Sequence, residues 1–268
     1  MRLQMSAPGS SRAGLLAALA ISSPAVWLGG CGVGAGGEAG YEAKRRLCLL
    51  AADVHCHQPP RIAAEQVRQA ETLLRPGDII LRRREGNLTN LFIPGFFTHS
   101  AIYLGRPEEL RRMGLYDRSR LADALRRYER RADDGRANRI IHIDEDGAAF
   151  ASLGELLTAD AAMALRPRLE PAKLADAVAA ALGHLDRPYD FDFDLQTADR
   201  ETCVEMLWRV YGELLEIRPV TLYGRETLTA DQIAETFRRG GRGLGFVWLL
   251  RSWRAGGPAE FCAAGMVP

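Results

Sequence analysis

The stretch "ETCVEMLW", residues 201–208, decides the fold. Thr202 and Glu205 stand in the S/T-x-x-E relation of a capping box, which predicts Thr202 as the N-cap and Cys203 as the first helical residue. Val204, Leu207, Trp208, Tyr211, Leu214 and Leu215 then share an apolar face that ties the helix to a core. A thiol at a helix N-terminus feels the positive end of the macrodipole and free backbone N–H groups. These favour the thiolate and can hold an oxyanion if the sulfur attacks a carbonyl. On this reading Glu205 has a structural role, capping the helix.

A nucleophilic thiol needs a base, and the base needs a group that orients it. Working outward, "FFTHSAIYLG" at residues 96–105 reads as a strand with His99 at its start. "RIIHIDEDG" at residues 139–147 reads as the next strand, closing in an Asp-Gly turn, with Ile141 and Ile143 on the face opposite His142. Antiparallel pairing of these strands sets the two imidazoles side by side. Cys203, His99 as base and His142 as the orienting residue form the candidate catalytic set.

The remaining pattern supplies a frame. A helix is expected over residues 61–74, ended by "RPGD", and a strand over 78–83. Residues 107–131 read as a charged helical insertion with Leu110, Leu121, Leu125 and Tyr128 inward, covering one sheet edge. A short helix at "SLGELL", a strand over 161–167, a helix over 171–185 and a last helix at "TLTADQIAETF" complete the series. "YDFDFDL", residues 189–195, alternates aromatic and acidic residues and reads as a strand or extended hairpin. The fold class is α+β, a small antiparallel sheet with the nucleophile helix packed against it. The acidic face of Asp190, Asp192 and Asp194 is either solvated or lines the cleft beside Cys203. In the second case Asp192 and Asp194 bind a substrate ammonium, and Tyr103 is a further candidate for substrate binding. Residues 92–97 read either as core or as an apolar wall near His99 that would suit an acyl chain.

The chain of 268 residues has a net charge of +1, which carries no electrostatic footprint for nucleic acid. Arg2 and Arg12 precede an apolar run over residues 14–28 that is short for a spanning helix and ends at "LGGC". That tetrad resembles the lipobox of bacterial lipoproteins. The resemblance implies a signal peptide over residues 1–30 and diacylation of Cys31, with attachment through that lipid to a bacterial envelope membrane, facing the periplasm. Residues 31–58 form the lipidated cysteine and a tether, and residues 59–268 the catalytic domain. Of the five cysteines, at most one bridge is expected, among Cys48, Cys56 and Cys262. "HCH" at residues 55–57 has no second ligand cluster at zinc spacing and reads as a polar stretch before a helix.

"GDIILRR", "THSAIYLG", "IIHI", "YDFDFDL" and "TCVEMLW", in that order, resemble the circularly permuted branch of the NlpC-type papain-like cysteine hydrolases, close to the YiiX/YaeF-like group. In that branch the histidine strand precedes the cysteine helix. The resemblance implies a permuted papain-like fold with Cys203 as nucleophile, His99 as base and a polar residue on the following strand as third member. Its third position is often glutamate, where this chain has His142; the lecithin:retinol acyltransferase-like branch uses histidine. The leading expectation is a lipid-anchored, monomeric amidase or peptidase acting through an acyl-enzyme on cell-wall peptides or N-acylated small molecules, without cofactor or metal. An acyltransferase or lipid esterase, and a noncatalytic envelope binding protein, are the alternatives.

Overall fold

The computed structural model describes residues 40–46, 59–85, 93–222, 224–252 and 257–265, and the described residues from 43 onward fall in one compact unit, described below. Its frame is a seven-stranded sheet of β1 (Ile79–Arg83), β2 (His99–Tyr103), β3 (Ile140–Asp144), β4 (Gly147–Ala151), β5 (Ala161–Pro167), β8 (Leu244–Arg251) and β9 (Glu260–Ala263). The spatial order is β4-β3-β2-β1-β5-β8-β9, and every neighbouring pair is antiparallel. A separate two-stranded ribbon pairs β6 (Val220–Leu222) with β7 (Arg225–Thr227).

The central strand β1 is covered on both faces, which explains its continuous apolar start: Ile79, Ile80 and Leu81 are all 0% exposed. Each such side chain contributes roughly 1.5–3 kcal/mol of burial. Ile79, Leu81, Ile102, Ile141 and Leu165 face a core shared with α5 (Pro171–Leu182) and α6 (Cys203–Tyr211). Ile80, Ala101, Ile140, Ala164 and Trp248 face the opposite core, closed by Ile62, Ala70 and Leu74 around α1 (Ala64–Leu73). The charged segment forms α2 (Pro107–Arg112) and α3 (Ala122–Tyr128). Leu110, Leu121, Leu125 and Tyr128 are buried as the pattern requires. The short helix α4 (Leu153–Leu156) and α7 (Ala230–Arg238) also form where expected.

Two readings change. Strands β8 and β9 continue the sheet beyond β5, so it is larger than the sequence pattern implied. Residues 189–195 do not form a strand: Tyr189 makes one isolated bridge to Glu201, and Phe193 sits at φ 51°. Asp190 is the cause, because its carboxylate accepts from the backbone N–H groups of Asp192 at 2.9 Å and Asp194 at 2.8 Å. A short acidic side chain that binds the next backbone amides competes with the strand ladder and turns the chain.

Cys203 and Cys262 are free thiols, so the expected bridge does not take Cys262. Cys31, Cys48, Cys56 and the "HCH" stretch lie outside the described residues. Among the described residues, no helix is long and apolar enough to cross a membrane and no metal-binding cluster of His, Cys, Asp or Glu occurs.

Candidate active site

Cys203 opens α6 as its first residue, with Thr202 as N-cap. The Thr202 hydroxyl accepts from the Glu205 N–H at 3.3 Å, and the Glu205 carboxylate accepts from the Thr202 N–H at 3.2 Å. The preceding residue is also locked: buried Glu201 meets His184 Nδ1 at 2.6 Å and Arg209 Nε at 3.2 Å. At the far end, Tyr211 Oη donates to the Gly77 carbonyl at 2.7 Å, tying the helix to the turn that leads into β1. The helix packs on β2 and β3, the two histidine strands.

The entry to His99 depends on one glycine. Gly95 has φ +106°, and a Cβ there would lie 2.4 Å from Asp231 Cβ. The close approach lets Asp231 Oδ1 accept from the Phe97 N–H at 3.0 Å, while the Thr98 N–H donates to the Arg82 carbonyl at 3.2 Å. Phe97 is core, and the Phe96 ring lies under Arg83 and Arg251.

The strand pairing brings the two histidines together. Ala101 is opposite His142 in register, so His99, two residues earlier on the same face, is its diagonal neighbour. His99 Nε2 lies 3.0 Å from His142 Nδ1, and the rings meet edge to face. His142 Nε2 lies 3.5 Å from Asp144 Oδ2. Burial first, then the nearby Arg82 charge and His142, hold His99 well below the usual imidazole range. Burial and Arg82 push His142 down to about 4. Both rings are therefore neutral at pH 7.

Cys203 belongs to the other face of β2. Its thiol lies against Ser100, whose hydroxyl and backbone favour the thiolate, as does the Arg82 charge; burial outweighs them and pushes the thiol up. Among the described residues no hydrogen bond joins the sulfur to His99 or His142. The structure thus assembles the histidine pair directly and sets Cys203 beside the residue that follows His99.

Arg82 was not singled out by the motifs. It stands opposite His99 in register, its Nε is buried without a hydrogen-bond partner, and its charge acts on His99, His142 and Cys203. Asp144 and Glu145 favour its charged form against burial. The available signal was the break in "IILRR", where an arginine occupies the same face as buried Ile80. The acidic candidates already have cations: Asp192 meets Lys44 at 2.5 Å and Arg225 at 3.7 Å, and Asp194 meets Arg225 at 3.3 Å. Tyr103 is buried in the core four residues along β2 from His99, and borders a cleft with Glu71 and Arg106.

A cysteine on a helix N-terminus that follows, rather than precedes, its histidine strands defines the class as permuted papain-like. The chain belongs to the family described as "Permuted papain-like amidase enzyme, YaeF/YiiX, C92 family", whose profile matches residues 73–267, and it is a cysteine hydrolase of that type. No curated protein and no solved structure matches it.

Proposed function

We propose that this amidase is lipid-anchored through Cys31 in a bacterial envelope and cleaves amide bonds of cell-wall peptides or N-acylated small molecules by way of an acyl-enzyme on Cys203. The observation that carries the reading is the 3.0 Å contact between His99 Nε2 and His142 Nδ1 next to the strand that Cys203 packs on. The run over residues 14–28 ending at "LGGC" supports the anchor.

The contacts suggest one tautomer chain. Asp144, whose carboxyl burial pushes up, orients His142 from 3.5 Å at Nε2, His142 Nδ1 accepts from His99 Nε2–H, and His99 Nδ1 is left as a free base. With both rings neutral and the thiol buried, the resting pair is thiol and imidazole, so His99 acts as a general base during attack. It takes the proton from Cys203 Sγ as the sulfur bonds to the substrate carbonyl carbon. Backbone N–H groups at the start of α6 stabilise the oxyanion. Collapse breaks the C–N bond, and the His99 imidazolium gives its proton to the leaving amine. Water, deprotonated by His99, then releases the acid from the thioester and regenerates the thiol. Catalytic hydrogen bonds absent from a ligand-free enzyme can form with substrate bound, and this step requires the Cys203 thiol to come within reach of His99 at the start of β2.

A second reading, acyl transfer to an acceptor amine or alcohol, is favoured by histidine rather than glutamate at position 142. The test is a panel of cell-wall peptides and N-acyl amino acids given to the wild type, Cys203→Ala and His99→Ala, with and without an added amine. Amine-independent release of free acid, lost in both variants, supports the hydrolase. Transfer that outcompetes water supports the second reading, and release that survives Cys203→Ala overturns both.

A further inference from the structure

Strand β2 works on both of its faces at the site. His99 shares one with His142, and Ser100 shares the other with α6. Ser100 is 0% exposed, yet its Oγ makes no hydrogen bond of ordinary geometry. Buried hydroxyls nearly always find a partner, so an unpaired one close enough to a nucleophilic thiol to favour its thiolate calls for an explanation. The group beside it is the Cys203 thiol, itself 6% exposed. A thiol is a weak acceptor, whereas a thiolate is a full anion that takes charge-assisted hydrogen bonds.

We propose that Ser100 is a further catalytic residue: its Oγ–H donates to Cys203 Sγ as the sulfur ionises, holding from β2 the charge that the N-terminus of α6 holds from the other side. No proton leaves Ser100; its O–H rotates onto the anion that forms when the Cys203 proton goes to His99. The strand position makes this specific. Shifting the hydroxyl to residue 99 or 101 would turn it to the opposite face. The proposal rests on Cys203 being the nucleophile, but its test needs neither substrate nor turnover.

The experiment is the pH midpoint of Cys203 ionisation in the full-length chain, read from far-ultraviolet thiolate absorbance with Cys203→Ala as the blank, and from labelling by a small methanethiosulfonate. Ser100→Ala is expected to raise the midpoint by about one pH unit, the effect of losing one hydrogen bond to a charge. The isosteric pair Ser100→Thr and Ser100→Val separates hydroxyl from shape: Thr should keep the wild-type midpoint and Val should match Ala. An unchanged midpoint in Ser100→Ala, or equal midpoints in Thr and Val, overturns the proposal. Loss of the amidase reading alone would appear instead as absent substrate cleavage with this hydroxyl-dependent difference intact.

Discussion

Replacing Glu205 by glutamine should stabilise the protein at alkaline pH. Glu205 is 0% exposed, one carboxylate oxygen caps the Thr202 N–H at 3.2 Å, and the other has no partner. Burial, then the neighbouring Asp190 carboxyl, pushes it from its ordinary 4.5 up to about 7. The native state therefore holds this proton more tightly than the unfolded chain. Its penalty is absent below 4.5, grows as pH rises, and is complete above about 7. At about 1.4 kcal/mol per pH unit, the full cost is about 3 kcal/mol. Glutamine keeps the capping acceptor and carries no charge. Urea unfolding at pH 5 and pH 8 is the assay. Buried His142 and half-buried His99, both neutral, destabilise both proteins as pH falls through 6.5, so the quantity to compare is the difference between them. The variant should match the wild type within about 1 kcal/mol at the lower pH and exceed it by up to about 3 kcal/mol at the higher. Equal pH dependence in both proteins, or a variant less stable at pH 8, would refute the reasoning.

Other perturbations report on the site. In the proposed mechanism the Asp144 carboxyl, 3.5 Å from His142 Nε2, orients that ring, so Asp144→Asn should lower kcat by roughly 10²-fold or more, with the ionisation midpoint of Cys203 unchanged. Because His99 is held well below 6.5, the acid limb of kcat/KM should lie below that value; a limb centred at 6.5 or higher contradicts a neutral base with a depressed pKa. Gly95→Ala puts a Cβ into Asp231 at a positive φ, and a loss of about 1–3 kcal/mol by thermal or urea unfolding is expected together with reduced activity.

The elements that hold the candidate site are legible because their signals are local. A capping box marks a helix start within four residues, and the flanking isoleucines mark which face His142 takes. The pairing of His99 with His142 followed from two neighbouring strands being antiparallel. The turn at residues 189–195 looks like a strand in sequence because hydrophobic alternation is also produced by a chain that folds around one buried carboxylate. Arg82 and Ser100 were not singled out, since their importance lies in what they fail to bond, and an unmet donor is visible only in three dimensions. Strands β8 and β9 add to an edge set by β5, a long-range pairing to which local periodicity is blind. The ion pairs of Asp192 and Asp194 come from Lys44 and Arg225, far away in sequence.

The central claim is that Cys203 carries the acyl group and His99 activates it. Rapid-quench peptide mass spectrometry with an activated acyl ester tests this most directly, using the wild type, Cys203→Ala and His99→Ala. The account predicts an acyl adduct on the peptide containing Cys203 within the first turnover, absent in Cys203→Ala and formed at least about 10²-fold more slowly in His99→Ala. An adduct on another residue, or equal rates in the wild type and His99→Ala, would contradict it.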